Sequence, residues 1–295
     1  VTHVFELVGG MIAHLIDSIS STTDIKIVSC HHEQCAGFAA EGFARVTGTP
    51  GVALATSGPG ATNLLTAIGS CYFDSTPAVF ITGQVNTYEL KRNRPIRQLG
   101  FQETDIVSIV SPLCKWAFQV EHVQDLPYAL EEAFRISLTG RQGPCLIDLP
   151  MNIQGQQIQL DHESNLLFTT HDSFDQVAIA EAYIANEPLE QKLRLLIQSI
   201  EKAKAPLLLI GGGCSAFPNR NASIRTSKNL AIPVVVSLIG IDVLPSSDPF
   251  RVGFIGSYGN RWANKVLAEA DFLVVIGIRL DIRQTGSSIE SFCKG

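Results

Sequence analysis

Short apolar runs alternate with segments of helical periodicity through the first half of the chain, and this alternation constrains the fold more than any other feature. Strand-like runs occur near residues 25–29, 52–56, 78–82 and 145–149. Near residues 10–19, 33–47, 61–72 and 126–138, apolar residues recur every three or four positions, as on one face of a helix. This pattern is typical of a parallel sheet covered on both faces. We therefore predict an α/β fold with a doubly wound parallel-sheet domain over residues 1–150.

The chain changes character after residue 150. Residues 151–187 are polar, contain a cluster of glutamines and show no sustained period, which indicates a linker. A second, Rossmann-like α/β domain is predicted over residues 188–295, with a helix near 189–204 and strands near 207–210, 234–237 and 272–276. Because only three strands are predicted and no terminating signal precedes Gly295, we expect this domain to be incomplete.

Composition narrows the functional class. With 295 residues and 45% hydrophobic content, the chain can bury two cores. The net charge is −6 and the charges are scattered, which argues against nucleic acid or an anionic membrane as a partner. No apolar run reaches the roughly 18 residues that span a bilayer. The seven cysteines form no Cys-x-x-Cys pair, as is typical of free thiols in a reducing compartment, so we expect a cytoplasmic protein.

Three predicted strands end in residue types that suit a ligand site. The strands are followed in turn by Glu33, by the turn Gly58-Pro59-Gly60 and by the pair Gly83-Gln84. Carboxyl ends of parallel strands share one edge, so we expect these residues to line one cleft. Simpler interpretations are a helix-stabilising glutamate in a first turn and an ordinary strand-to-helix connection. Adjacent His31 and His32 point to opposite faces of extended chain, so no metal site is predicted.

Six short motifs run in order through the first half of the chain. They are His32-Glu33-Gln34, Ala39-Ala40-Glu41-Gly42-Phe43-Ala44-Arg45, Ser57-Gly58-Pro59-Gly60-Ala61-Thr62-Asn63, Asp74-Ser75-Thr76-Pro77, Ile81-Thr82-Gly83-Gln84 and Gly100-Phe101-Gln102-Glu103. Together they resemble the pyrimidine-binding domain of thiamine-diphosphate enzymes of the acetolactate synthase (large subunit) family. An ordered series of motifs is far harder to obtain by chance than one glycine loop.

The resemblance implies a role for each candidate residue of this domain. Glu33 is implied as the catalytic residue, whose carboxyl group hydrogen-bonds N1′ of the cofactor's aminopyrimidine and so helps to remove the proton from C2 of the thiazolium. The implied cofactor-binding residues are Gly58, Pro59, Gly60, Gly83 and Gln84. The implied substrate-side residues are Phe101, Gln102 and Lys115. Core packing of Phe101 and a solvated strand end at Lys115 are the alternatives, and Asn63 is expected to cap or pack its helix.

The second half resembles the central domain of the same family. The residues implied to bind a cofactor there are Gly211, Gly212, Gly213, Gly256, Gly259, Arg279 and Asp281. In acetolactate synthases this domain holds FAD, whereas in other members it holds a different nucleotide or nothing. An ordinary loop after a strand is the alternative interpretation of the triglycine.

The family binds the cofactor diphosphate through Mg²⁺ in a third domain, which is marked by Gly-Asp-Gly. Residues 1–295 contain no such motif. We therefore expect Mg²⁺ to be held outside this chain, thiamine diphosphate to bind weakly to the chain alone, and the chain alone to be inactive. In the whole enzyme the pyrimidine domain of one subunit faces the diphosphate domain of another, which implies a homodimer or homotetramer.

The resemblance predicts the N-terminal part of a carboligase or decarboxylase of 2-oxo acids, a transferase or lyase. It is most like acetolactate synthase, which decarboxylates and condenses pyruvate in branched-chain amino acid biosynthesis. A basic segment that departs from the family pattern, with Lys91, Arg92, Arg94 and Arg97, favours a surface-polysaccharide type of enzyme with another substrate as an alternative. Further alternatives are a non-catalytic or split-subunit module that needs a partner chain, and a nicotinamide-dependent oxidoreductase. The last ranks low because residues 211–213 lack the Gly-x-Gly-x-x-Gly spacing.

Overall fold

The structure is a computed structural model that describes residues 1–21, 24–158, 187–215, 220–288, 290 and 292–293. The chain divides into two compact units, one over Val1–Leu160 and one over Asp161–Gly295. Each unit is built on its own parallel sheet, which confirms the predicted α/β fold class. Most of the predicted linker over residues 151–187 lies outside the described residues, so the predicted domain bounds stay a prediction.

A six-stranded parallel sheet forms the centre of the first unit. Its strands are β1 His3–Leu7, β2 Lys26–Ser29, β3 Gly51–Ala55, β4 Ala78–Gln84, β5 Trp116–Gln119 and β6 Pro144–Pro150. Their order across the sheet is β2-β1-β3-β4-β6-β5. Strands β3, β4 and β6 are buried at every position. Burial on both faces explains why these strands are continuous apolar runs and do not alternate with polar residues.

Helices cover both faces of this sheet. They are α1 Ala13–Ser20, α2 Glu33–Thr47, α3 Pro59–Asn63, α4 Leu65–Asp74, α5 Ile106–Val110, α6 Leu126–Leu138 and α7 Met151–Gln154. One core contains Val79 and Ile147 with residues of α1 and α6, and the other contains Phe80 and Leu146 with residues of α2 and α4. The prediction of one helix over residues 61–72 is wrong, because α3 and α4 are separate helices that meet at Leu64.

Two strands of the first unit were not predicted from the sequence, and each has a local reason. In β1 the apolar run is interrupted by Glu6, which is buried and accepts a hydrogen bond from the Ser29 hydroxyl of β2. Strand β5 lies at the sheet edge, has four residues and is only partly buried, so its sequence shows no sustained apolar run. Strand predictions that depend on burial are weakest at such positions.

A four-stranded parallel sheet forms the centre of the second unit. The strands are β7 Pro206–Ile210, β8 Val234–Val236, β9 Arg251–Phe254 and β10 Phe272–Ile276, in the order β10-β7-β8-β9. The helices are α8 Glu187–Lys202, α9 Arg220–Leu230, α10 Arg261–Glu269 and α11 Ile282–Thr285. The prediction of three strands is wrong, because β9 completes a set of four. Half-buried β9 contains Arg251 and Gly253, which weaken its strand pattern.

In the first sheet the strand order reverses between β1 and β3, and again where β6 returns between β4 and β5. In the second sheet it reverses between β7 and β10. The turns after β1 and β3 approach closely, since a Cβ on Gly9 would lie 2.5 Å from Cβ of Thr56. Open α/β sheets bind ligands beside the carboxyl ends of the strands at such a reversal, so the carboxyl edges at β1 and β3 and at β7 and β10 are candidate ligand sites.

Candidate functional site

Glu33 is the first residue of α2 and lies at the carboxyl edge of the first sheet. His32 caps the helix, because its Nδ1 accepts a hydrogen bond from the Gln34 backbone N–H at 3.0 Å. Glu33 is only 8% exposed, and its Oε2 accepts a hydrogen bond from Asn63 Nδ2 at 2.8 Å. No described residue donates a hydrogen bond to its Oε1. A carboxylate with one oxygen held and the other available is suited to bind a ligand donor.

The turn Gly58-Pro59-Gly60 meets this carboxylate. Gly58 has φ 65° and ψ −129°, a conformation that residues with a side chain disfavour. Pro59 occupies the first turn of α3, where its missing N–H costs nothing. A Cβ on Gly60 would lie 3.3 Å from Glu33 Oε1 and 2.7 Å from Thr56 Cγ2. A side chain at Gly60 would therefore fill the space beside the available oxygen.

Gln102 reaches the same turn from the loop between β4 and α5, and Phe101 precedes it in that loop. A Cβ on Gly58 would lie 2.7 Å from Gln102 Cβ, so the loop packs directly on the turn. Phe101 is 74% exposed, and the alternative interpretation as a core residue is wrong. The structure thus brings Glu33, the glycine turn and the 101–102 loop together at one edge of the sheet.

Gly83 and Gln84 lie at the carboxyl end of β4, where their contacts are with the protein itself. A Cβ on Gly83 would overlap the carbonyl group of Met11, so the 3₁₀ turn Gly10–Ile12 needs a glycine there to pack on β4. Buried Gln84 donates from Nε2 to the Thr104 carbonyl at 2.7 Å and to Asp148 Oδ2 at 2.9 Å. Cofactor binding by these two residues stays a prediction.

Asp148 was not predicted from the motifs, although it lies at the centre of this hydrogen-bonded cluster. It is fully buried in β6, and its carboxylate accepts hydrogen bonds from Thr82 Oγ1 at 2.8 Å, Gln84 Nε2 at 2.9 Å and Gln119 Nε2 at 2.7 Å. Burial raises the pKa of Asp148 to about 6, and the three hydrogen bonds act in the opposite direction. The sequence feature that could have identified Asp148 is a charged residue inside an apolar strand.

Lys115 lies away from these residues. It directly precedes β5 and therefore sits at the amino-terminal edge of the parallel sheet, opposite the edge that carries Glu33. Its Nζ donates to the carbonyl oxygens of Ile136 and Thr139 at the end of α6. Burial lowers the pKa of Lys115. The structure does not bring Lys115 together with the other predicted substrate-side residues.

The basic segment over residues 91–97 forms an exposed part of the loop before Phe101. Arg92 pairs with Glu121, with Nη1 and Oε1 3.1 Å apart and both side chains about half exposed. Arg94 and Arg97 are exposed and have no ion-pair partner in the part of the chain that the structure describes. This segment is a solvated basic surface.

The predicted cofactor residues of the second unit follow the ends of three strands. Gly211, Gly212 and Gly213 follow β7, Gly256 and Gly259 follow β9, and Arg279 and Asp281 follow β10. Close packing explains several of the glycines. A Cβ on Gly211 would overlap the carbonyl group of Gly277, and Gly256 has φ 104°. Parallel strands place all seven residues at the carboxyl edge of this sheet.

At this edge the two charged residues, Arg279 and Asp281, have partners close in sequence, and four apolar side chains are exposed. Asp281 Oδ1 accepts a hydrogen bond from the Arg283 N–H at 2.9 Å and so caps α11. Arg279 Nη2 lies 3.8 Å from Asp281 Oδ2. Exposed apolar side chains follow β8 and β9 at the same edge, namely Leu238, Ile239, Ile241 and Tyr258. Such a surface suits a flat, partly apolar ligand.

Two protein-family models match the chain. The model for the N-terminal TPP binding domain of thiamine pyrophosphate enzymes covers residues 1–109, and the model for their central domain covers residues 193–295. The chain belongs to the thiamine pyrophosphate enzymes. Its two parallel sheets are consistent with the N-terminal and central domains of this family, and the resemblance seen in the motifs is confirmed.

Relatives of this thiamine pyrophosphate enzyme chain share about a third of its residues. The acetolactate synthase isozyme 1 large subunit of Escherichia coli (strain K12) is 37% identical over 288 residues, which are 97% of the chain and 47% of the relative. Acetolactate synthase 2, chloroplastic, of Nicotiana tabacum is 36% identical over 296 residues, which are 99% of the chain and 41% of the relative. Acetolactate synthase, mitochondrial, of Schizosaccharomyces pombe is 34% identical over 288 residues, which are 97% of the chain and 42% of the relative. The chain spans less than half the length of these curated relatives.

Two further observations concern membrane-spanning helices and the cysteine thiols. Among the described residues, no helix combines the length and the apolar character needed to cross a membrane. None of the seven cysteines, all of which lie in the described part of the chain, forms a disulfide bond. Burial raises the pKa of the thiols of Cys71, Cys114 and Cys145, which makes them unreactive.

Proposed function

We propose that this chain is the N-terminal part of an acetolactate synthase-like enzyme that decarboxylates pyruvate, or a similar 2-oxo acid, and condenses the product with a second 2-oxo acid. One observation carries the proposal. The Glu33 carboxylate is buried and held by Asn63 through Oε2, and its Oε1 lies beside the side-chain-free position Gly60. The names of the matched relatives support the same reaction.

The residues at this edge fit the aminopyrimidine of thiamine diphosphate. Asn63 holds Oε2 and so orients the carboxyl group, while Oε1 would share a proton with ring nitrogen N1′ of the cofactor. The Gly58-Pro59-Gly60 turn would admit the ring next to the backbone, because no Cβ occupies that space. Phe101 and Gln102 would face the substrate. When bound, thiamine diphosphate would supply the thiazolium ring that takes up the electron pair left by decarboxylation.

The proposal extends to the rest of the enzyme. FAD would bind at the carboxyl edge of the second sheet, where the glycine turns and the exposed apolar side chains after β8 and β9 lie. Mg²⁺ would be held with the cofactor diphosphate by a domain outside residues 1–295. A homodimer or homotetramer in the cytoplasm would complete the enzyme. Flavin absorbance of the purified longer protein tests the FAD assignment.

The decisive experiment uses the longer protein with thiamine diphosphate, Mg²⁺ and FAD, and measures pyruvate consumption and acetolactate formation. Glu33→Gln keeps the shape of the side chain but weakens proton sharing, so we expect activity to fall by about 100-fold or more. Glu41→Gln is the matched control, because Glu41 is another buried glutamate of α2, bound by Arg45 and Ser70. Near-normal activity of Glu33→Gln would contradict the catalytic assignment. If the longer protein folds and binds its cofactors but does not consume pyruvate, the proposed substrate is wrong.

A further inference from the structure

A chain of hydrogen bonds, buried at Asp148 and partly buried at Thr104, links β6 to the loop that carries Gln102. It starts at Asp148 Oδ2, which accepts from Gln84 Nε2 at 2.9 Å, and continues from the same Nε2 to the Thr104 carbonyl at 2.7 Å. Thr104 Oγ1 in turn donates to the Gln102 carbonyl at 3.3 Å. Gln102 packs on Gly58. The core of the first sheet is thereby connected to the glycine turn of the candidate site.

Asp148 determines which way the Gln84 amide points. An ionised carboxylate only accepts hydrogen bonds, so it must face the NH₂ group of the amide. With the pKa of Asp148 raised by burial to about 6, the carboxylate form still predominates at neutral pH. The remaining amide atom, Oε1, accepts from the Val85 N–H at 3.0 Å. Because each polar atom of this buried amide has a partner, the amide has a single orientation.

The segment that Gln84 holds requires support from its surroundings. Gln102 has φ 59°, a left-handed conformation that a residue with a side chain adopts at a cost in free energy. The Gln84 hydrogen bond reaches this segment from a fully buried position on a central strand. The Gln84 amide, held rigidly on its strand, therefore donates to a loop that contains the strained residue Gln102.

We propose that Gln84, oriented by Asp148, is a positioning residue of the candidate site. Its Nε2–H···O bond to Thr104 keeps residues 102–104 in the conformation that places Gln102 against Gly58. The catalytic meaning of this role rests on the proposed function, whereas the positioning itself requires no cofactor. This role of Gln84 acts through the loop and is separate from its predicted contact with the cofactor.

The experiment measures amide hydrogen exchange in the longer protein without added cofactor. Gln84→Met removes both amide donors at similar volume. Gln119→Met is the matched control, because Gln119 also donates to Asp148 Oδ2 but has no bond to the 102–104 segment. The reporters are the Gly100 and Glu103 N–H groups, which donate to the carbonyls of Glu89 and Gly100. We expect exchange at these amides to be about fivefold faster or more in Gln84→Met, and unchanged in Gln119→Met.

Equal exchange at the reporter amides in the two variants would overturn the proposal. So would faster exchange spread evenly over β4 and β6, because that pattern indicates a general loss of stability. If Gln84→Met does not fold, Gln84→Asn gives the same comparison, since its amide is one methylene too short to reach both partners. The readout is independent of turnover, so an active Glu33→Gln enzyme would refute the proposed function and leave this result unchanged.

Discussion

Replacing Asp148 with asparagine should stabilise the first unit at neutral pH, although the carboxylate accepts three hydrogen bonds. Burial, assisted by the nearby Asp105 carboxylate, raises the pKa of Asp148 from 3.8 to about 6. A folded-state pKa above the unfolded value means that the folded chain binds the proton more tightly. The free energy of unfolding therefore falls as pH rises, chiefly between about pH 4 and pH 6. Asparagine lacks this titration.

The magnitude follows from the two pKa values. One pKa unit corresponds to about 1.4 kcal/mol, so the ionised carboxylate lowers the free energy of unfolding by roughly 3 kcal/mol at pH 8. Asparagine can keep the hydrogen bonds, because its Oδ1 can accept from Gln84 and Gln119 while its Nδ2 donates to the Thr82 hydroxyl. We expect Asp148→Asn to be the more stable protein at pH 8, and its advantage to shrink by roughly 2 kcal/mol at pH 4.5.

Urea unfolding followed by tryptophan fluorescence measures this difference. The chain has two tryptophans, Trp116 in β5 and the exposed Trp262 in α10, so a Trp262→Phe background makes the signal specific for the first unit. Asp17→Asn on α1 is the matched control, because it makes the same replacement at an exposed carboxylate. A stability difference that is constant between pH 4.5 and pH 8, or an Asp148→Asn protein that is less stable at pH 8, would refute the reasoning.

Two further predictions concern packing, and a third concerns hydrogen bonds at the end of α6. Gly83→Ala should destabilise the first unit by at least about 2 kcal/mol, because the new Cβ would overlap the backbone of Met11. Gly42→Ala, inside α2 with open space around its Cβ position, should stabilise it by up to about 1 kcal/mol. Urea midpoints that move in the same direction would contradict this pair. Lys115→Met should lower the free energy of unfolding by about 1 kcal/mol, because it removes the ammonium group that donates to the carbonyls of Ile136 and Thr139. An unchanged urea midpoint would show that these hydrogen bonds do not stabilise the fold.

Local sequence patterns predicted the central elements well. The helices over Glu33–Thr47 and Leu126–Leu138 have the predicted bounds. The first is delimited by a capping His32 and by Gly48, which has φ 74°. The fully buried strands β3, β4 and β6 were found because burial on both faces demands unbroken apolar sequence. Strands β1, β5 and β9 were missed because edge exposure or a buried charge interrupts that pattern.

Local periodicity and short motifs were sufficient to predict the α/β class, the family and the residue types at the strand ends. Which of those residues meet depends on tertiary packing. Sheet order placed β1 between β2 and β3, and packing brought Asn63 onto Glu33. The direction of β5 places Lys115 at the sheet edge opposite Glu33. The pairing of β4 with β6 brings Gln84 into contact with Asp148. The physical reason is that contacts between residues 30 to 64 positions apart depend on strand order and helix packing, which local periodicity does not specify.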